Sequence, residues 1–380
     1  MVSILFIHQS AELYGSDKTL LLLIKNLDKS KFKIVVVLPN KGPLKIELEH
    51  LGIKVVLAPV LKLYRDIFKL KNVFYFLKEI RTSVKILDSL NKEYSFNLIY
   101  SNTLAVLLGA IYARKRKIKH LWHVHEIIEH PKLIASIFPK LLNNLADIII
   151  CNSKATLENL VKRENNISNK SKVIHNGLEY LVSVSNKSKG QLIFHEDDII
   201  ITLIGRISRL KGHKWLLNTY KNRLLDFKNV KLLFVGSPVL GQEHYLIDLE
   251  EFIKNNNLSD NVLILPFTKD LETIWSATDI AIMPSTEAES FGLVALEAML
   301  HKKPVIASNL GGLKEIVVHN SSGFLVDVNS EIDLQKAITS LVESEDLRIK
   351  MGNTGFDRAK SHFSLKSYVE KFEKTFEELV

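Results

Sequence analysis

The chain has 380 residues, of which 46% are apolar and 24% charged, a composition that excludes intrinsic disorder, collagen-like repeats and low-complexity arrays. Its length is sufficient for two domains of ordinary size. The one cysteine, Cys151, excludes a disulfide framework and a thiolate metal cluster, and it is typical of a small core residue.

The net charge of +9 is concentrated in one half of the chain. Residues 1–180 contain 28 Lys and Arg against 15 Asp and Glu, whereas residues 181–380 contain 23 against 27. A basic half beside a weakly acidic half predicts two domains with different partners. An anionic membrane surface, an anionic acceptor or nucleic acid would each suit the basic half.

The chain carries no predicted export or membrane-spanning segment. Residues 1–8 lack a basic n-region and have a short apolar run, which is typical of a buried first strand. The longest uncharged stretch, Tyr94–Ala113, has five polar residues in its first half, which indicates a strand, a loop and a helix start. We therefore expect a cytoplasmic protein that can lie at the inner face of a membrane.

Nearly continuous apolar runs alternate with helical patterns in the first half, as expected for parallel strands buried on both faces. The strands are predicted at Ile4–His8, Lys33–Leu38, Lys54–Ala58, Leu98–Ser101, His120–His125, Ile148–Asn152 and Lys172–His175. Helices are predicted between them, for example at Asp17–Leu27 and Leu104–Arg114. This alternation predicts right-handed βαβ units and a doubly wound α/β sheet.

A basic and aromatic segment, Leu61–Glu93, interrupts this alternation. Its apolar residues follow helical spacing, while Lys69, Lys78 and Arg81 are interleaved with aromatic residues such as Phe68. One interpretation is an amphipathic helix that packs on its own domain. The other is a surface that binds anionic lipid.

The alternation stops at a polar stretch without periodicity, and residues 181–197 are therefore predicted to be a linker. A second set of strands is predicted at Ile199–Ile204, Lys231–Val235, Val262–Leu265, Ile280–Met283, Pro304–Ala307 and Gly323–Val326. The predicted domains are residues 1–180 and 198–361. Two doubly wound domains in series predict a cleft at the carboxyl ends of the strands, where ligands of open α/β sheets bind.

The first candidate for chemistry follows the strand predicted at Ile199–Ile204. Gly205 and Arg206 come directly after this strand, and Lys211 follows just before a helix predicted near His213. Gly205 would allow the backbone to approach a ligand closely. The guanidinium of Arg206 offers a planar fork for phosphate oxygens, and Lys211 offers a second point charge. The alternative is a pair of solvated loop residues.

A second candidate is Glu287–Glu297, in which Glu289 and Glu297 are eight residues apart. Ser290 is predicted to cap a helix that begins at Phe291, so the exposed N–H groups of its first turn would form an anion site. A carboxylate at Glu289 would accept sugar hydroxyls, and Glu297 would reach a ribose or similar diol. In the alternative interpretation, Glu289 merely stabilises the helix start and Glu297 is a surface residue.

These motifs, in this order, resemble the retaining glycosyltransferases of family 4, the glycosyl transferases group 1. The matching segments are Val173–Gly177, Gly205–Gly212, Glu289–Glu297, Pro304–Ser308, Leu310–Gly312, Glu315–Ile316 and Gly323–Val326. The resemblance covers essentially the whole chain. It implies the GT-B fold, with two doubly wound Rossmann-like domains facing each other across a cleft. It also implies a last helix, at residues 362–380, that packs back on the first domain.

The resemblance implies a nucleotide-sugar donor held mainly by the second domain. Arg206 and Lys211 match the cations that bind the donor diphosphate. Glu289 matches the glutamate beside the transferred sugar, and Glu297 matches the one that binds ribose. The further donor-binding positions, which include the backbone cradle and the wall against the nucleobase, are Gly205, Pro266, Phe267, Ser290, Phe291, Gly292 and Leu293.

In the first half, Leu13–Asp17 resembles the glycine-rich first loop of the family, with Tyr14 and Asp17 in place of the usual Gly and Glu. Gly15 and Ser16 would then offer N–H groups to the donor phosphate. The alternative makes Ser16 a plain helix N-cap.

Strand alternation places His123 and His125 on the same side of a predicted strand. The resemblance implies that His125 is catalytic and contacts the donor sugar or the acceptor. His123, Glu126 and Ser153 are assigned to acceptor binding, and orienting His125 is the alternative role of Glu126. No third ligand accompanies the histidines and no Asp-x-Asp pair occurs in the sequence, so we expect neither a metal nor a cofactor.

The sequence thus predicts a metal-independent, retaining glycosyltransferase that moves a sugar from a nucleotide-sugar to a glycan or lipid-linked glycan in bacterial surface polysaccharide biosynthesis. A GT-B sugar-nucleotide epimerase or phosphorylase and a non-catalytic binding protein are the alternatives. Peripheral association with an anionic membrane through the basic first domain is expected. Nucleic acid is not expected as a partner, because no recognition motif accompanies the basic half.

Overall fold

The computed structural model describes residues 1–61, 70–180, 189–192 and 194–380. They form two compact units, the first consisting of Met1–Gly177 with Leu365–Val380 and the second of Leu178–Ser364. Each unit has its own parallel sheet and its own core. Residues 62–69 of the basic and aromatic segment and residues 181–188 and 193 of the predicted linker lie outside the described residues.

The first unit is built on a seven-stranded parallel sheet in the order β3-β2-β1-β4-β5-β6-β7. Its strands are β1 (Val2–His8), β2 (Phe32–Leu38), β3 (Lys54–Leu57), β4 (Leu98–Asn102), β5 (Lys119–Val124), β6 (Ile148–Cys151) and β7 (Ser171–Val173). Its first helices are α1 (Gly15–Asn26), α2 (Pro43–His50), α3 (Leu70–Tyr94), α4 (Leu108–Arg116), α5 (Lys132–Leu145) and α6 (Lys154–Val161). The strand order reverses between β1 and β4, which is the usual position of a ligand site in such sheets.

The second unit is built on a six-stranded parallel sheet in the order β10-β9-β8-β11-β12-β13. Its strands are β8 (Ile199–Ile204), β9 (Val230–Val235), β10 (Val262–Leu265), β11 (Ile280–Met283), β12 (Val305–Ser308) and β13 (Gly323–Val326). Its helices are α7 (His213–Arg223), α8 (His244–Asn255), α9 (Leu271–Ala277), α10 (Leu293–Leu300), α11 (Leu313–Ile316), α12 (Glu331–Val342) and α13 (Glu345–His362). Its switch in strand order lies between β8 and β11.

The last helix, α14 (Leu365–Leu379), belongs to the first unit, although the second unit precedes it in the chain. Its aromatic residues are buried on one face. Phe376 packs edge-on against Phe6, with 6.2 Å between ring centroids, and Phe372 packs against Tyr100 at 6.0 Å. Burying aromatic side chains of this size is a major source of stabilisation, so α14 is an integral part of the first core.

All thirteen predicted strands occur, and their ends differ from the predicted ones by at most two residues. Most residues of the inner strands are buried, since helices cover both sides of each sheet, whereas the edge strands β3, β7 and β10 are partly exposed. The doubly wound α/β prediction is therefore confirmed for both units.

Two predicted helix starts are wrong. The helix predicted from Leu104 begins at Leu108, after a turn in which Thr103 has φ = +82° and the N–H of Leu104 donates to the carboxylate of Glu126 at 3.0 Å. The helix predicted from Phe291 begins at Leu293, and its N-cap is Gly292 in place of Ser290. Gly292 has φ = +108°, a conformation that residues with a side chain rarely adopt.

Candidate active site

The loop after β8 places two cations at the carboxyl end of the second sheet. The N–H of Gly205 donates to the carbonyl of Val235 at 2.9 Å, which extends the ladder by one residue before Arg206. Lys211 ends a short 3-10 helix, Arg209–Lys211, and its stem folds back over Gly205. A Cβ at Gly205 would lie 3.3 Å from Cε of Lys211, so the glycine makes room for this lysine.

Lys211 forms an ion pair with Glu289 that joins the two predicted motifs. Nζ of Lys211 lies 2.8 Å from Oε1 of Glu289, and the hydroxyl of Ser285 donates to the same oxygen. Burial raises the pKa of the Glu289 carboxyl, but the combined attraction of Lys211 and its neighbours outweighs burial and leaves the pKa below its ordinary value. Arg206 is one of those neighbours. Glu289 is therefore ionised at neutral pH.

Backbone contacts hold the Glu289 loop in place. The N–H of Thr286 donates to the carbonyl of Leu210 at 2.8 Å, and the N–H of Gly312 donates to the carbonyl of Glu289 at 2.7 Å. Gly311 has φ = +60°, and a Cβ there would lie 2.4 Å from the carbonyl oxygen of Glu289. The position of the Glu289 loop therefore depends on Gly311 and Gly312. The sequence indicated these two glycines only as part of the family resemblance.

The start of α10 follows the Glu289 loop. Phe291 is buried and packs edge-on against Phe363, with 5.8 Å between ring centroids. Because Gly292 is the N-cap of α10, the N–H groups of the first turn begin at Leu293. Glu297 lies within α10 and is only 9% exposed, unlike a solvated surface glutamate. A phosphate contact at the helix start and a ribose contact at Glu297 stay predictions.

The predicted nucleobase wall follows β10. Pro266 and Phe267 are exposed, and the N–H of Phe267 donates to the hydroxyl of Ser237 at 3.0 Å. Phe267 is 48% exposed. Contact with a base at these positions stays a prediction.

In the first unit, the glycine-rich loop leads directly into α1. The helix begins at Gly15 with Tyr14 as the N-cap, so the alternative that makes Ser16 the N-cap is wrong. The carboxylate of Asp17 accepts the N–H of Tyr14 at 3.0 Å through one oxygen. Its other oxygen lies 2.7 Å from Nε2 of His8 at the end of β1. The role of Gly15 and Ser16 in donor binding stays a prediction.

His125 belongs to a buried group of polar side chains at the ends of β4 and β5. Nε2 of His125 lies 2.9 Å from Oδ1 of Asn102 and 3.0 Å from Nδ1 of His123. His123 also contacts the hydroxyl of Tyr100, with 2.5 Å between the oxygen and Nδ1. The amide of Asn102 continues to Nδ1 of His8 at 3.0 Å. The predicted juxtaposition of the two histidines thus occurs within a larger network.

Burial determines the protonation of this network. It holds the pKa of His123 well below the ordinary value of a histidine, and His125 adds to that effect. Burial, with a smaller contribution from His8, lowers the pKa of His125 to about 3. It also raises the pKa of Tyr100 well above its ordinary value. Both histidines are therefore neutral, and Tyr100 is an O–H donor, at physiological pH.

Sequence analysis missed His8, Tyr100 and Asn102. Each is a polar residue within a strand that is otherwise buried and apolar, and two of them end neighbouring strands. A polar residue at the carboxyl end of a buried parallel strand is a signal that could have found them, because such ends meet at one edge of the sheet.

Two of the predicted acceptor residues have contacts within the fold. The Oε2 atom of Glu126 accepts the backbone N–H groups of Leu104 at 3.0 Å and His125 at 3.1 Å. Ser153 is buried and caps α6, accepting the N–H of Thr156 at 2.9 Å. Contact of either side chain with an acceptor stays a prediction.

Two further features concern metals and membranes. In the described ranges, no cluster of three or more His, Cys, Asp or Glu side chains is arranged to hold a metal ion. Among the helices of the part of the chain that the structure covers, none combines the length and apolar character needed to cross a membrane.

The geometry is matched by similarity to known proteins. Residues 184–358 match the family described as glycosyl transferases group 1, and residues 14–180 match glycosyltransferase family 4. An uncharacterized glycosyltransferase of Methanocaldococcus jannaschii, MJ1178, is 30% identical over 338 residues, which are 88% of this chain and 87% of that protein. The capsular polysaccharide biosynthesis glycosyltransferase CapM of Staphylococcus aureus is 28% identical over 204 residues, 53% of this chain and 52% of CapM.

A solved structure shares the fold over its full length. The Anabaena protein Alr3699/HepE in complex with UDP-glucose is 25% identical, with a TM-score of 0.85 and 100% coverage of both chains. These relatives disfavour the alternatives of a non-catalytic binder, an epimerase and a phosphorylase. Family, fold and site motifs agree, and the chain belongs to the group 1 glycosyltransferases with the GT-B fold.

Proposed function

We propose that this enzyme is a retaining, metal-independent glycosyltransferase. It transfers a sugar from a nucleotide-sugar to a glycan or lipid-linked glycan acceptor in bacterial surface polysaccharide biosynthesis. The observation that carries the proposal is the ion pair between Lys211 and Glu289, with Arg206 close enough to lower the same pKa. This arrangement combines fixed positive charge for a diphosphate with a carboxylate for a sugar.

The cations supply the electrostatic part of catalysis. Negative charge develops on the diphosphate as its bond to the anomeric carbon breaks, and Arg206 and Lys211 stabilise that charge. The first-turn N–H groups of α10 add a partial positive charge. Because fixed side chains and a helix terminus perform this task, the reaction needs no divalent cation at the diphosphate.

Retention follows from attack on the face that the diphosphate leaves. The acceptor oxygen forms the new bond to the anomeric carbon, the bond to the diphosphate oxygen breaks, and the acceptor proton passes to a phosphate oxygen. Glu289 positions the sugar through its hydroxyls and does not form a covalent intermediate. His125 of the first unit, a neutral imidazole, contacts a hydroxyl of the sugar or of the acceptor.

Two observations support the donor and acceptor classes. HepE binds UDP-glucose, and its structure matches this chain over the full length, which supports a nucleotide-sugar donor. CapM is named for capsular polysaccharide biosynthesis. The excess of Lys and Arg in residues 1–180 favours an anionic or membrane-bound acceptor in the cytoplasm, at the inner face of the membrane.

A two-step experiment tests this proposal. Sugar nucleotides are first screened for an upward shift in the unfolding temperature, since a ligand that binds only the folded state stabilises it. The best donor is then incubated with membrane extracts in EDTA, and the anomeric configuration of the product is read by NMR. We expect a lengthened glycan with the configuration of the donor. An inverted product, a sugar phosphate or a free epimer would contradict the proposal.

A further inference from the structure

The first unit contains a continuous network of polar side chains that the reaction described above does not explain. It follows three neighbouring strands of the sheet, since β1 pairs with β4 and β4 with β5. The register places His8 opposite Asn102, and Asn102 opposite His123. The members, which we call the His125 network, are Asp17, His8, Asn102, His125, His123 and Tyr100.

The orientation of the Asn102 amide follows from its partners. Nδ2 of Asn102 lies 3.3 Å from the backbone carbonyl of Ser16, and a carbonyl can only accept a hydrogen bond. The NH₂ group must therefore be on this side. The same group lies 3.0 Å from Nδ1 of His8, so this ring nitrogen accepts and carries no proton. The amide oxygen of Asn102 is therefore on the opposite side, where it faces Nε2 of His125.

The donor and acceptor roles of the neighbouring groups also fix the tautomers of His8 and His125. His8 carries its proton on Nε2 and donates it to the carboxylate of Asp17 at 2.7 Å. On the other side, the Asn102 oxygen can only accept, so Nε2 of His125 is a donor at 2.9 Å. The neutral ring of His125 has a single proton, and its Nδ1 is consequently an unprotonated acceptor.

The contacts of His123 agree with this assignment. Nδ1 of His123 lies 2.5 Å from the hydroxyl of Tyr100, which keeps its proton and can donate it to an unprotonated Nδ1. Nε2 of His125 lies 3.0 Å from the same Nδ1. With Nε2 of His125 protonated and Nδ1 of His123 unprotonated, the single N–H of His125 faces two acceptors, so the contacts of His123 are compatible with the assignment.

We propose that Asp17, His8 and Asn102 are positioning residues that hold His125 in its Nε2–H tautomer, so that Nδ1 accepts a hydrogen bond from a hydroxyl of the sugar or acceptor. This inference rests on the proposed role of His125. It adds that the interaction has a fixed direction, in which the substrate hydroxyl donates and the imidazole accepts. The backbone carbonyl of Ser16 and the carboxylate of Asp17, which acts through His8, together orient the Asn102 amide and thereby fix this direction.

Nitrogen-15 NMR of histidine-labelled protein tests the inference, with the His125 signals assigned through His125→Gln. The wild type is expected to show a protonated Nε2 and an unprotonated Nδ1. The Asp17→Asn variant replaces a carboxylate, which can only accept, by an amide that can also present its NH₂ group to His8, so we expect loss of this single form. Turnover should fall about 10-fold to 100-fold with little change in the KM of the donor. Asp17→Glu keeps a carboxylate and is expected to keep the Nε2–H form.

A second variant keeps the test decisive if Asp17→Asn does not fold. Asn102→Ala removes the amide oxygen that accepts the N–H of His125, so it should lose the Nε2–H form. Unchanged nitrogen signals of His125 in Asp17→Asn or Asn102→Ala would overturn the inference. Full activity of His125→Gln would instead contradict the proposed role of His125, while the tautomer measured in the wild type would still stand.

Discussion

The two units place polar side chains at the same edge of their sheets, but with different electrical character. In the second unit the side chains are charged, and Lys211 is paired with Glu289. In the first unit most members of the His125 network are neutral at physiological pH, because burial suppresses the ionised forms. Binding a diphosphate requires fixed charge, whereas recognising a hydroxyl requires a fixed hydrogen-bond direction. The proposed function assigns the first of these tasks to the second unit and the second task to the first unit.

The largest expected effect comes from removing the charge of the second unit. Arg206→Ala combined with Lys211→Ala removes two charge-assisted contacts, each contributing about 1.5–3 kcal/mol. We expect kcat/KM to fall by about 10²- to 10⁴-fold. The measurement is the initial rate of transfer over a range of donor concentrations. Lys214→Ala, which removes an exposed cation from α7, is the control and should have little effect.

A smaller effect is expected from the carboxylate of the ion pair. Glu289→Gln keeps the shape of the side chain but removes its charge and one acceptor, so kcat should fall by about 10²- to 10³-fold. Glu287→Gln is the matched control, since Glu287 is exposed in the same loop and pairs with Arg209. Equal rates for the two variants, measured with saturating donor, would show that Glu289 does not contact the sugar.

The ion pair also makes stability depend on pH. The pKa of Glu289 lies below its ordinary value of 4.5, so the pair stabilises the fold above pH 4.5 and loses this contribution as pH falls through the lowered pKa. Lys211→Met removes the largest attraction on this carboxylate, so burial raises its pKa, and the ionised carboxylate destabilises the fold at pH 7. We expect a loss of about 1–3 kcal/mol at pH 7.

Urea unfolding of both proteins at pH 7 and pH 4 measures this effect. The difference in the free energy of unfolding should shrink at the lower pH, because Glu289 is then protonated in the variant. Adding Glu289→Gln to Lys211→Met should recover much of the loss at pH 7. A difference that is the same at both pH values would contradict the assigned charge state.

The smallest effect distinguishes two roles of Ser153. As the N-cap of α6 it stabilises the helix start, so Ser153→Ala should lower the free energy of unfolding by about 1 kcal/mol. Ser330→Ala, which removes the N-cap of α12 in the second unit, is the matched control. A loss of acceptor affinity in Ser153→Ala without loss of stability would show that this hydroxyl contacts the acceptor.

The strands were predictable because a parallel strand buried on both faces appears in the sequence as an uninterrupted apolar run. The start of α10 was not, since the left-handed conformation of Gly292 overrides the capping preference of Ser290. The start of α4 was also not predictable, since it follows a turn in which Thr103 has φ = +82° and donates its N–H to the distant His123. Local rules fail at these ends because tertiary contacts decide them.

The residues of the two sites also differed in how well the sequence could predict them. Arg206, Lys211 and Glu289 lie in short motifs, so their spacing and the family resemblance could identify them. His8 and Asn102 are 94 residues apart, and only the pairing of β1 with β4 brings them together. The ion pair between Lys211 and Glu289 joins residues 78 positions apart, so its geometry could be seen only in the structure.

The central claim is that Arg206 and Lys211 bind a diphosphate. Calorimetry in EDTA should compare the nucleoside diphosphate of the identified donor with the corresponding monophosphate, for the wild type and for the Arg206→Ala, Lys211→Ala double variant. The account predicts that the wild type prefers the diphosphate by at least about 10-fold and that the double variant loses this preference while still binding the monophosphate. The same preference in both proteins would contradict it.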